Sequence, residues 1–243
     1  INLHFKDISI IKDSINVEMK ELSTNERCGL ELKEMSGKFV VSSKGIEAKN
    51  AKIKTQSSNL AFDAKMKTTT WKTYKYFIDS VYCKINMKKG SVAGMKDACY
   101  WTPKVSNCTQ KIAINFKGEG WISNMRVKDM DIRSNNTRIL AYGNVVGLPY
   151  IKNTYFNIVI KDVSCSYNDF ISQRLGTILS KVHLPKIIER LGEVELSGKF
   201  KGMINNFATN LLVSCQEGEL NINAKGLTPN NSNLTTYSGE INS

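Results

Sequence analysis

The strongest constraint on this chain is a two-residue hydrophobic period. It is clearest in residues 191–207 (Leu-Gly-Glu-Val-Glu-Leu-Ser-Gly-Lys-Phe-Lys-Gly-Met-Ile-Asn-Asn-Phe) and 217–227 (Glu-Gly-Glu-Leu-Asn-Ile-Asn-Ala-Lys-Gly-Leu). Apolar residues and glycines there alternate with charged and polar ones. Successive side chains of a strand point to opposite faces, so the pattern calls for sheet with one oily and one wet face. The same alternation fills most of the chain. It directs attention to the oily face, rather than a catalytic cluster, as the seat of function.

Upstream, Leu3 and Phe5 share a parity, as do Ile8 and Ile10, then Ile15, Val17 and Met19. Leu30 with Leu32, Phe39 with Val41, Ala51 with Ile53, and Leu60 through Met66 continue the series. The runs recur about every ten residues, the cadence of an antiparallel meander. Lys12-Asp13-Ser14, Ser43-Lys44-Gly45, Ser57-Ser58-Asn59, Lys88-Lys89-Gly90, Gly118-Glu119-Gly120 and residues 134–137 read as turns. Trp71 to Phe77 fits either a short helix or an aromatic strand, and residues 95–110 read as a loop insertion. A helical passage is expected at 169–191, with Asp169 as N-cap, a break at Pro185 and Gly192 just past its end. A lone amphipathic helix in a meander covers an open edge or end.

Composition narrows the function classes. With 41% hydrophobic and 23% charged residues, the 243-residue chain is folded rather than disordered. It starts at Ile1 and holds no apolar run near the ~20 residues that a membrane helix needs. We read it as a piece of a longer protein, or one whose leader has been removed. Residues 228–243 read as a loop entering a further strand. The net charge of +12 suits nucleic acid, anionic lipid or simple solubility. The densest basic stretch holds Lys65, Lys67, Lys72 and Lys75, and reads as a solvated strand edge on which lysines block pairing. No nucleic-acid partner is expected.

Chemistry has little raw material. The six cysteines form no CxxC pair and have no histidine near them, which argues against zinc. Cys99 and Cys108 flank a loop that a disulfide would close. Cys28, Cys83, Cys165 and Cys215 read as small buried hydrophobes. His4 should face outward and His183 sits at a helix break. Asp129 and Asp131 share a strand face, a weak calcium or acid-pair signal. Nucleophile-elbow and phosphate-loop motifs are absent. We expect no enzyme, no cofactor and no metal.

The residues of one parity are the candidate site: Phe39, Val41, Leu60, Phe62, Ile112, Ile114, Phe116, Ile158, Ile160, Val194, Leu196, Phe200, Leu220 and Ile222. If they line a groove, acyl chains are the natural occupant, at about 0.8 kcal/mol per buried CH₂. Packed face to face, they would instead fill a β-sandwich. That module would bind glycans or adhesion partners through Trp71, Tyr74, Trp101 and Trp121.

Two stretches carry a family resemblance. One runs Leu184-Pro185-Lys186-Ile187-Ile188-Glu189-Arg190-Leu191-Gly192, then Val194 to Gly202, Asn206-Phe207 and Glu217-Gly218-Glu219-Leu220. The other joins residues 22–32 to 51–60. They resemble the TamB/AsmA-like proteins of Bacteroidota, in which a helical LP…LG step precedes a G-x-F-x-G strand pair. The resemblance implies a curled β groove crossing the periplasm, anchored in the inner membrane by a segment outside this chain. It implies carriage of phospholipid toward the outer membrane, and a role in outer-membrane protein assembly with a β-barrel partner reached through a further C-terminal region. The fold expected is therefore all-β, one long curled antiparallel sheet. Strand repeats over 1–168 and 192–243 are separated by the helical segment at 169–191.

Overall fold

The computed structural model describes residues 1–98, 100, 110–166, 192–228 and 236–242. Fourteen strands form in sequence: β1 (Asn2–Ile11), β2 (Ser14–Asn25), β3 (Glu31–Ser42), β4 (Gly45–Thr55), β5 (Asn59–Lys67), β6 (Tyr82–Gly94) and β7 (Lys111–Trp121). The second half holds β8 (Asn124–Ser134), β9 (Thr137–Val146), β10 (Tyr155–Ser166), β11 (Glu193–Met203), β12 (Asn206–Cys215), β13 (Gly218–Leu227) and β14 (Thr236–Asn242). They make one antiparallel sheet in strict chain order, β1 through β14. The sheet is long and curled but not closed into a barrel: β1 and β14 each pair on one side only. The strands belong to one hydrogen-bonded sheet and not to the two sheets of a sandwich.

Two-residue turns make six of the connections: Lys12-Asp13, Ser43-Lys44, Ile122-Ser123, Asn135-Asn136, Ile204-Asn205 and Gln216-Glu217. Lys12 and Asn135 open theirs with φ of 55° and 50°, the left-handed backbone that tight hairpins need. Two expected turns are instead strand. Gly118 and Gly120 lie inside β7, and the chain reverses at Ile122-Ser123. Lys88-Lys89-Gly90 lies inside β6, where two extra residues are accommodated between Met87 and Ser91. Glycine reads as a turn in sequence, yet in a strand it also marks bulges and close approaches.

Bulges are the source of the curl. One extra residue enters β2 between Met19 and Leu22, and β4 between Ala48 and Ala51. The same happens in β8 between Val127 and Met130, and in β10 between Ile160 and Val163. Each bulge bends its strand and increases its twist. In β4 the bulge is held by Asn50, at φ 49°, whose backbone N–H donates to the Asp63 carboxylate at 2.6 Å.

Between β5 and β6 the aromatic stretch is helical, a 3-10 segment Trp71–Tyr76 followed by one α-turn, α1 (Phe77–Ser80). A second short turn, α2 (Met95–Ala98), follows β6. The expected helix at 169–191 and the Cys99–Cys108 pair lie outside the described residues. Lys65 and Lys67 sit on β5, an interior strand, so they guard no edge.

Candidate functional site: a continuous apolar face

Residues opposite one another in a ladder share a face. The pairings can therefore be followed from strand to strand. One row crosses all fourteen: Ile8, Val17, Phe39, Ala48, Ala64, Ile85, Gly118, Val127, Gly143, Ile158, Phe200, Thr209, Ala224, Gly239. A second row on the same face runs Ile10, Ile15, Val41, Ile46, Met66, Cys83, Gly120, Met125, Val145, Phe156, Gly202, Phe207, Gly226, Tyr237. A third joins Phe62, Met87, Phe116, Met130, Ala141, Ile160, Gly198, Leu211 and Ile222. A fourth joins Ile114, Ile132, Ile139, Val163, Leu196, Val213 and Leu220.

All fourteen candidate residues fall on this face. Eleven belong to the four rows, and the other three share parity with them: Leu60 pairs with Ile53, Ile112 with Ala93, and Val194 with Cys165. The bulges make this possible. After each single-residue bulge the apolar parity switches, from Val127 to Met130 and from Ile160 to Val163, and the side chains stay on the same side. Strand parity alone would have sent Val163 to the wet face.

The face is neither sealed nor bare. All fourteen candidates are half-buried. The fully buried apolar side chains described are mostly small: Ala48, Ala51, Val81, Cys83, Met125, Ala141 and Val145. Leucine, isoleucine and phenylalanine normally dominate a closed core; here none of those described is fully buried.

Glycines shape the C-terminal half. Phe156, Gly202, Phe207, Gly226 and Tyr237 alternate ring and glycine across five strands. The Phe207 ring lies over Gly226, where a Cβ would meet it at 2.5 Å. Phe207 also stacks on Phe200 at 5.2 Å, and Phe156 meets Phe200 edge-on at 6.3 Å. Neither Phe156 nor Phe207 was among the candidates. The signal for them was the G-x-F-x-G spacing read across neighbouring strands rather than along one.

The reverse face is charged. Its central row runs Ser9, Asn16, Val40, Glu47, Lys65, Lys84, Glu119, Arg126, Asn144, Asn157, Lys201, Ala208, Lys225, Ser238. Glu47 is bracketed by Lys65 at 2.8 Å and Lys49 at 3.1 Å, and those hydrogen bonds hold its carboxyl below the usual range. Asp131 is not a calcium or acid-pair site. Arg133 at 2.9 Å and Arg138 at 3.1 Å grip it, and their hydrogen bonds push its pKa far below that of a free aspartate. Arg138 also reaches Asp162 at 3.2 Å.

The helical segment covers one margin of the apolar face. Burial, aided by the Cys83 thiol, pushes the Tyr74 hydroxyl above its ordinary pKa. Cys83 itself is buried, and that burial pushes its thiol up as well. Cys165 and Cys215 are half-buried, whereas Cys28 is exposed in the β2–β3 turn, contrary to its expected burial. As for the alternative aromatic platform, Trp71 tilts against half-buried Tyr74 and Trp121 packs edge-on to Tyr82 at 5.3 Å; Trp101 lies outside the described residues. Among the described residues no cluster of His, Cys, Asp and Glu could hold a metal ion, and no helix is long and apolar enough to cross a membrane.

No family model, curated protein or solved structure matches the chain.

Proposed function

We propose that this sheet is the lipid-carrying groove of a TamB/AsmA-like envelope protein, holding phospholipid acyl chains along its apolar face. The observation that carries the reading is a row of apolar residues and glycines, with one threonine, that crosses all fourteen strands, is mostly half-buried, is exposed only at Ile8 and Gly239, and is backed by a charged face. An apolar surface this continuous is costly to leave in water, and extended hydrocarbon fits it without a directional site. Each CH₂ moved from water onto it gains up to about 0.8 kcal/mol. In this proposal the protein works in the periplasm, held to the inner membrane by a segment outside this chain. It moves phospholipid between the two membranes and supports outer-membrane protein assembly with a β-barrel partner. It acts without a catalytic residue or cofactor.

Native mass spectrometry of protein purified from membrane-containing bacterial lysate tests this. Co-purifying phospholipid, displaced by added fatty acid, is the expected result. A clean apo mass with no uptake of a fluorescent fatty acid overturns the proposal.

A further inference from the structure

The two rims of the sheet differ in their described connections. Every second connection lies on the same rim, and on one rim these connections are laced together. Ser43 Oγ donates to the Asp13 carboxylate at 3.0 Å, and Thr68 N–H to Lys44 O at 2.9 Å. Ser123 N–H donates to Ile78 O at 3.2 Å, and Gly147 N–H to Ser123 O at 2.8 Å. The β1–β2, β3–β4, β5–β6, β7–β8 and β9–β10 connections thus form one continuous edge.

This edge exposes large apolar side chains at the tips of its connections. Trp71 is 54% exposed, Tyr76 63%, Tyr150 73% and Ile151 58%, with Ile78 also exposed. Lys12, Lys44, Lys72, Lys75 and Lys152 are interspersed and exposed, against Asp13 and Asp79. Lys75 Nζ lies 5.8 Å from the Tyr76 ring centre. The opposite rim is different. Its described connections carry Arg27 and Lys96 against Glu26, Asp97 and Glu217, and no exposed aromatic.

We infer that the Trp71–Tyr150 rim docks on the surface of an anionic phospholipid bilayer. Aromatic rings settle at the headgroup level, aliphatic tips reach the acyl boundary, and lysines meet lipid phosphates. A protein partner fits less well, because lysine is depleted where protein interfaces are buried. Nothing in this edge requires the apolar face to be loaded, so the inference stands apart from acyl-chain carriage.

The test is co-sedimentation of the full chain with phosphatidylcholine vesicles, with and without phosphatidylglycerol. Binding is expected only with phosphatidylglycerol, and it should weaken with salt. Each rim lysine neutralised should weaken it about fivefold, so Lys72→Gln with Lys75→Gln should lose about 25-fold. Trp71→Ser should weaken it further, while Lys96→Gln on the opposite rim should change nothing. These positions are exposed, so the variants should keep the wild-type circular dichroism and the wild-type uptake of soluble fluorescent fatty acid. Absence of vesicle binding overturns the inference, as does equal binding to neutral vesicles. Indifference to Lys72 and Lys75, or a matching loss of fatty-acid uptake, also overturns it.

Discussion

Phe200 shows what one residue does on this sheet. It sits between Phe156 and Phe207 on the apolar face, half-buried, with its rings in contact but its surface not sealed. Replacing Phe200 or Leu196 with Asp puts a charge where hydrocarbon would lie. Fatty-acid uptake should fall about tenfold or more while the circular dichroism stays that of sheet, because a carboxylate in an apolar contact costs several kcal/mol. Outright unfolding would mean that these are ordinary core residues. On the other face, Asp131 makes acid sensitivity testable. Its pKa is depressed in the folded state, so its contribution is complete above the unfolded value of about 3.9 and is lost as pH falls toward the folded value. Asp131→Asn should cost about 1 kcal/mol at pH 7 and narrow the stability gap between pH 5 and pH 3, read from urea midpoints. An unchanged gap would place the acid sensitivity elsewhere. Much of this scale was legible. Alternation alone grouped the candidate residues by side within each strand, and the registers bring those sides together on one face. Phe156 and Phe207 were missed because their partners are glycines on adjacent strands, which alternation along one strand does not reveal. The Asp129–Asp131 signal failed because the arginine that joins Asp131 to Asp162 comes from the next strand.

At the scale of the element, the bulges decide whether separate strands share a face. Lys128 and Asp129 together oppose Tyr142, with Val127 and Met130 flanking them on the apolar side. Deleting Lys128 restores regular alternation and leaves Val127 and Met130 in phase. Deleting Asn115 from β7, which carries no extra residue of its own, throws Ile114 and Phe116 onto opposite faces. The first deletion should keep cooperative thermal unfolding with a modest loss of stability, and the second should abolish it. Equal damage from both would show that the bulge at Lys128 does not set the phase. Bulges were the least legible part of the fold. Gly118-Glu119-Gly120 carries the residues of a turn, yet ladder pairing on both sides keeps it in a strand, and Lys88-Lys89-Gly90 is a bulge carried within β6 between the paired Met87 and Ser91. Trp71 to Phe77 left helix and strand open because its aromatics suit both, and the covered margin at Cys83 settled it as helix.

As a whole molecule the chain is a sheet with two unlike faces and, among the described connections, two unlike rims. The order of strands follows the chain without a crossover, which is what regular spacing of turns predicts. Whether the oily sides converge was not contained in any local pattern, because convergence depends on thirteen successive registers. The central claim is that hydrocarbon lies along the converged face. It is tested most directly by placing a photoreactive amino acid at Phe116 or Phe200, and separately at Lys117 or Lys199 on the reverse face, then illuminating in the presence of radiolabelled phospholipid. Label at Phe116 and Phe200, with little at Lys117 and Lys199, is the predicted result. Equal labelling of both faces, or none on either, would contradict it.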